Sequence, residues 1–220
     1  DDIQRAVQAS QAVSLPPNRM VIHFLVKEFI VDGVRDIRDP LGMTGNRLEV
    51  AGMIIDGFAP AIKNVTKCVE ILGGGYGSLI FSPLAGARAV LSNHERELGA
   101  VLIDIGFGKT GMSVYEENRL LHTAIVPLGT GNVTNDLAIG LKTMVETAEA
   151  IKLSFGSALA REVGMREMVD LSKVDPRLKG MVSKRFIGDI IEVRLAEIFE
   201  FVNNELKSIG KAGRLPGGVV

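Results

Sequence analysis

The chain has no tryptophan and a single cysteine, Cys68, among 220 residues. One thiol closes no internal disulfide, and the three histidines, His23, His94 and His122, lie far apart, so no Cys/His zinc spacing arises. No apolar run approaches the roughly 18 residues of a membrane span, and no secretory signal opens the chain. Charge of one sign is also missing. Twenty-five Lys and Arg against 26 Asp and Glu leave a net charge of -1, which excludes the basic field of a nucleic-acid binder. The chain does hold 46% hydrophobic residues, too many for a disordered polypeptide and enough for one large domain or two small ones. Its 25 glycines exceed the usual share, which predicts tight turns and close backbone approach. The composition reads as that of a soluble, cytosolic protein.

Periodicity divides the chain in two. Ile3 to Ala9 reads as a helix. Arg19 to Gly33 is β-branched and aromatic, one long strand or two bent near Lys27-Glu28. Arg35 to Asn46 reads as an exposed loop, in which the alternating Arg35, Asp36, Arg38 and Asp39 suggest a solvated face. Arg47 to Asp56 is a second strand. Pro60 opens a helix whose Ile62, Val65, Val69 and Leu72 share one face, with Cys68 on or beside it as a small inert hydrophobe. Ser78 to Phe81 reads as a short strand. A helix follows with Ser82 as cap and Pro83 at its first position, running to about Ser92, and the polar stretch Asn93 to Glu97 reads as a boundary. Three closely spaced strands come next, Ala100 to Ile105, Gly111 to Tyr115 and Leu120 to Val126, an antiparallel meander. Helices are expected at Asn132 to Ile139, Val145 to Phe155 and Lys184 to Ile209. Gly188 inside the last costs about 1 kcal/mol relative to alanine. Asp1 falls within a helix pattern and Val220 within a strand pattern, so the chain reads as a piece of a longer protein.

Three segments carry candidate chemistry. In VLIDIGFGKTGM, Val101 to Met112, a buried strand ends in Asp104 and glycines 106 and 108 open a hairpin. Glycine leaves backbone N–H groups open to a phosphate chain, and a strand-end carboxylate can hold Mg²⁺ through water; an ordinary glycine hairpin with a turn aspartate explains the same residues. Glu149 and Lys152, three apart on one helix face, can hold ribose hydroxyls or form a plain ion pair. Where Gly129 to Asp136 turns from strand into helix, its N–H groups can face an anion, or Asn132 or Thr134 simply caps the helix. The histidines read as structural.

These segments, taken in order, resemble the FtsA family of actin-like bacterial cell-division proteins over nearly the whole chain. HFLVKEFIVDG and IRDPLGMTGNRLEV are similar to the start of that family's inserted subdomain (1C, of SHS2 type), LIDIGFGKTG to its second phosphate motif, LLHTAIVPLGTGNVTNDLAIGL and AEAIKLSFG to the segments after it, and SKRFIGDIIEVRLAEIF to a long helix beyond. The resemblance implies an α/β chain, a portion of an actin-like ATPase (ribonuclease H-like) fold carrying an inserted α+β subdomain. Residues 1–82 would be the inserted subdomain with the end of a preceding helix, 83–96 a connecting helix and linker, and 97–220 an incomplete second half (2A/2B). It implies ATP with Mg²⁺ as cofactors, held by Asp104, Gly106, Gly108, Lys109, Gly129, Glu149 and Lys152, with Asp104 on the metal. As an enzyme it would be at most a slow ATPase. The implied partners are other copies in a filament, the tubulin-like FtsZ with Lys184 and Arg185 as contacts, and the inner face of the cell membrane at the division site, through a terminal helix outside this chain. No nucleic acid is expected.

The family's phosphate motif reads D-x-G-G-G-T-x-D; here Phe107, Lys109 and Gly111 replace its middle glycine, threonine and second aspartate. Phe107 and Gly111 therefore keep a second reading open, an adaptor of the same fold that no longer binds nucleotide. A pilus-assembly actin-like protein is a third, against which the Arg38 to Met43 loop speaks. A small-molecule kinase of the same superfold ranks last, since nothing suggests a sugar site.

Overall fold

The structure is a computed structural model that describes residues 2–220. After helix α1 (Asp2–Gln11), strands β1 (Arg19–Val31), β2 (Val34–Ile37) and β3 (Leu48–Phe58) form an antiparallel sheet in the order β2-β1-β3. β1 is one strand, with its register to β3 shifted between Val26 and Glu28, where the bend was expected. β2 lies inside the segment read as loop. Its charged residues give no apolar alternation; it exists because Val34 and Ile37 pair with Val31 and Phe29.

Helix α2 (Ala59–Ile71) begins where Pro60 predicts, yet buries no residue. Ile62 touches the backbone of β3 near Gly57, while Val65 and Leu72 stay 66% and 88% exposed. Cys68 is likewise exposed rather than set into an apolar face. Residues 78–81 are not a strand: they find no strand neighbour among the described residues, and Phe81 donates its N–H to His23 Nε2 at 2.9 Å. Helix α3 (Ser82–Val90) is capped by Phe81 rather than Ser82, which falls in the first turn. The polar stretch at 93–97 is helical. It forms helix α4 (Asn93–Leu98), closed by reciprocal bonds between Ser92 and Glu95, with Arg96 buried and donating to the Leu91 carbonyl.

The meander matches its expected bounds closely: β4 (Ala100–Ile105), β5 (Thr110–Glu116) and β6 (Arg119–Val126), with β9 (Gly218–Val219) parallel to β4 at the edge. Alternation decides its faces. Ala100, Leu102 and Tyr115 pack on Ala87 of α3 and on Leu91 just after it. Val101, Met112 and Val114 pack on Val202 and Leu206 of helix α7 (Lys184–Ser208). Helices α5 (Thr130–Leu141) and α6 (Val145–Phe155) build a third cluster with the first half of α7, in which Leu137, Ile151 and Ile187 are fully buried. Gly188 is explained there. A Cβ on it would sit 3.2 Å from the Ala160 Cα, so the helix accepts its propensity cost to let residues 160–162 approach.

Strands β7 (Met168–Asp170) and β8 (Met181–Ser183) form a hairpin ahead of α7. Between them the buried Asp175 carboxylate accepts from Arg177 Nε and Nη2, from the Arg177 N–H, and from Thr147 Oγ1 of α6 at 3.0 Å. The Arg177 guanidinium, then its N–H and the Thr147 hydroxyl, hold this carboxyl well below the usual carboxylate range. A depressed folded pKa means stability that is present above about pH 4 and lost as acid titrates the group. Thermal melts of wild type and Asp175→Asn should therefore converge as pH falls from 4 to 2, the wild type losing more. Parallel melting curves would show that this carboxylate contributes nothing through its charge.

Candidate functional site

The hairpin between β4 and β5 closes on itself through Gly106, whose N–H donates to the Lys109 carbonyl at 2.9 Å. That N–H is thus not open to a phosphate, contrary to the expectation for Gly106. The Phe107 and Gly108 N–H groups at the tip make no hydrogen bond among the described residues, and a Cβ on Gly108 would meet nothing within 4 Å. The Lys109 N–H has no partner among the described residues either, so the open cradle is three residues wide. Phe107 is 67% exposed, and its ring lies against Gly131, 2.9 Å from where a Cβ there would stand. Lys109 donates to Ser82 Oγ at 3.2 Å and so leans toward α3. Gly111, where the family motif has its second aspartate, faces Pro83 of α3, 3.0 Å from a Cβ position.

Asp104 is exposed near the end of β4, opposite Gly111, with no hydrogen-bond partner among the described residues. No group of three or more metal-ligating side chains forms among those residues. One free carboxylate fits Mg²⁺ in the mode where water and phosphate oxygens supply the other ligands.

The N–H groups at the start of α5 already have partners within the protein. Gly129 donates to Asn132 Oδ1, Thr130 to the Gly106 carbonyl at 2.8 Å, Gly131 to the Phe107 carbonyl at 2.7 Å, and Asn132 to the Gly129 carbonyl. Every N–H from Gly129 to Asn132 is engaged, two by hairpin carbonyls and two within the helix's own first turn. Gly129 is needed for closeness instead: a Cβ there would lie 2.4 Å from the Gly106 oxygen. Neither Asn132 nor Thr134 is the cap residue, which is Gly129.

On α6, Glu149 and Lys152 meet at 2.7 Å, as their spacing predicts. The sequence did not show what they meet besides. Lys152 Nζ also donates to Thr134 Oγ1 at 2.9 Å and to the Thr130 carbonyl at 3.3 Å, and the Thr134 hydroxyl bonds Glu149. The Lys152 ammonium first, then the Thr134 hydroxyl, lower the Glu149 pKa. Thr130 links the two motifs: its N–H holds the hairpin and its carbonyl holds Lys152. Thr130 and Thr134 were missed as parts of this cluster because the crossing of α5 and α6 leaves no mark on the spacing within either helix.

Lys184 lies apart, at the start of α7, and is paired with Glu167 at 3.0 Å. Arg185 is half-buried and has no ion-pair partner among the described residues. Glu167 thus offsets part of the positive charge at these two residues.

Two family models match the chain: "Cell division protein FtsA" over residues 101–217 and "SHS2 domain inserted in FTSA" over residues 1–56. The cell division protein FtsA of Bacillus subtilis (strain 168) is 39% identical over 220 residues, covering 100% of this chain and 50% of the relative. That of Escherichia coli (strain K12) is 32% identical over 217 residues, covering 99% and 52%. The chain thus spans about half the length of the curated relatives it matches. Among solved structures, MreB 5 of Spiroplasma citri bound to AMPPNP superposes with a TM-score of 0.52 at 20% identity, over 67% of this chain and 46% of that one. The PilM-PilN type IV pilus biogenesis complex superposes with a TM-score of 0.54 at 15% identity, over 100% and 62%. At these identities the likeness is one of fold: an actin-like α/β architecture with an inserted SHS2-type unit.

Proposed function

The chain belongs to the FtsA family of cell division proteins, and from that premise we propose that it is the part of an actin-like adaptor that binds ATP with Mg²⁺ and responds to it by changing shape or assembly. The observation that carries this reading is Thr130, which joins two motifs about 40 positions apart into one surface: the open hairpin tip on one side and the Glu149–Lys152 pair on the other. On this reading Phe107, Gly108 and Lys109 offer N–H groups to the phosphates, Asp104 holds Mg²⁺ through water, and Glu149 and Lys152 address the sugar. The AMPPNP named with MreB 5 supports a nucleotide as the ligand class. The wider role proposed with it is filament assembly through the unit at 19–81, linkage of FtsZ by the region around Arg185, and attachment to the inner membrane face by a terminal amphipathic helix outside this chain. No described helix is long and apolar enough to cross a membrane.

The exposed Phe107 ring over Gly131 favours a second reading, an adaptor that has lost the nucleotide. Titration of the intact protein with ATP and Mg²⁺ separates the two. Saturable binding that weakens when Mg²⁺ is removed supports the first; no saturation at millimolar ATP supports the second.

A further inference from the structure

The charges that alternate in sign from Arg35 to Asp39 do not form a merely solvated face. Glu28 of β1 accepts from Arg35 Nη2 at 2.6 Å and from the Asp36 N–H at 2.7 Å. Asp36 takes a left-handed conformation, φ 61°, which aspartate tolerates better than most residues. Its carboxylate accepts from Arg119 Nη1 at 2.7 Å, 83 positions further along the chain. Arg119 Nη2 donates to Glu117 at 3.0 Å, and Glu117 in turn bonds Arg38. Asp36, Arg119, Glu117 and Arg38 are therefore one chain of alternating charge. Two members come from β2 and the residue after it; two come from the β5–β6 turn and the start of β6.

The turn is a firm anchor. Glu117 and Asn118 both have positive φ, as a two-residue hairpin turn requires, and donate their N–H groups to the Glu97 and Arg96 carbonyls of α4 at 3.0 Å each. Apolar packing does not seal the same seam. A cleft of about 410 Å³ remains between the three-stranded sheet and the meander, lined by Phe24, Val26 and Met53 on one side and Tyr115 and Leu120 on the other. The buried Arg119 Nε has no hydrogen-bond partner among the described residues. The covalent path between the two units enters α3 at Phe81, whose N–H is pinned to His23 of β1.

We infer that the Asp36–Arg119–Glu117–Arg38 chain is an ionic latch that sets the angle of the three-stranded unit against the β4–β6 sheet, and that the unit pivots about Phe81 when the latch opens. Close-packed surfaces resist sliding, whereas a seam with an open cleft and exposed charges is held by interactions that water and salt weaken.

Pulsed dipolar spectroscopy on the intact protein tests the latch. The labels go on Val34→Cys in β2 and His94→Cys in α4, both exposed positions, in a Cys68→Ser background. The expected result is one narrow distance distribution at low salt that at least doubles in width in about 1 M KCl. Asp36→Asn with Arg38→Gln should show the broad distribution at low salt and no further response to KCl. Inverting all four charges (Asp36→Arg, Arg38→Glu, Glu117→Arg, Arg119→Glu) should restore the narrow, salt-sensitive distribution. A broad distribution in the unaltered seam at low salt overturns the inference. So does a neutralised variant as narrow as the parent, or a response to KCl equal in both.

Discussion

Gly129→Ala should lower the unfolding free energy of the meander and its flanking helices by about 3–5 kcal/mol. The added Cβ would stand 2.4 Å from the Gly106 oxygen, 2.5 Å from the Phe107 oxygen and 2.7 Å from the Phe107 carbonyl carbon. All three are main-chain atoms of a closed hairpin, so none can swing aside as a side-chain tip would. The φ of -154° at Gly129 is ordinary extended backbone, so the cost is one of contact, not of conformation. Relief requires α5 to retreat from the hairpin. That breaks the Thr130 bond to Gly106 and the Gly131 bond to Phe107 and leaves the helix end unsatisfied. Overpacking costs about 1–3 kcal/mol and each lost bond about 1 more, a large share of a typical total of roughly 5–15 kcal/mol. Gly108→Ala is the control: its Cβ meets open space, so its effect should stay within about 0.5 kcal/mol. Urea denaturation of both variants decides it. Equal midpoints for the two would mean that hairpin and helix do not rely on this approach.

The same glycine shows how far the sequence can be read. That Gly129 mattered was legible, because a glycine where a strand turns into a helix has few uses. The choice between an anion and a neighbouring backbone was not, because the answer lies in Gly106 and Phe107, more than twenty positions away. Elements defined by their own pattern were read nearly to the residue: β4 and α6 have the bounds their periodicity gives, since burial of one strand or helix face marks every second or every third to fourth position. Elements defined by a partner were missed. β2 is a strand only because β1 lies beside it, and α4 looked like a linker because its stability comes from the Ser92–Glu95 bonds and a buried Arg96 rather than from an apolar face. Residues 78–81 show the converse: strand-forming residues without a neighbour remain irregular. In the site, the Glu149–Lys152 pair followed from helical geometry alone, while its connection through Thr130 and Thr134 required the packing of α5 on α6.

That connection makes Lys152 the most informative single position for nucleotide affinity. The Lys152 ammonium serves three acceptors at once: Glu149, Thr134 Oγ1 and the Thr130 carbonyl. With Lys152→Met the stem still covers α6 but no donor reaches the other helix. The Thr130 carbonyl loses its partner, and Glu149 loses the main cause of its lowered pKa, the Lys152 bond. Hydrogen bonds to charged groups are worth about 1.5–3 kcal/mol, and each 1.4 kcal/mol is about tenfold, so ATP affinity of the intact protein should fall roughly 10- to 100-fold. A general loss of folding would produce the same fall, and a second ligand separates the two causes. Inorganic tripolyphosphate carries the phosphate chain without the sugar, so on the proposed arrangement it engages the hairpin tip and not α6. Lys152→Met should leave its binding within about twofold of wild type. Gly108→Val should do the reverse, weakening tripolyphosphate and ATP together by placing branched carbon where the tip is now open. Calorimetric titration of the two ligands into both variants gives four numbers. If Lys152→Met weakens both ligands equally while the protein stays folded, the pair does not address the sugar. If it weakens neither, Glu149 and Lys152 are an internal brace between α5 and α6, and the nucleotide reading must rest on the hairpin alone.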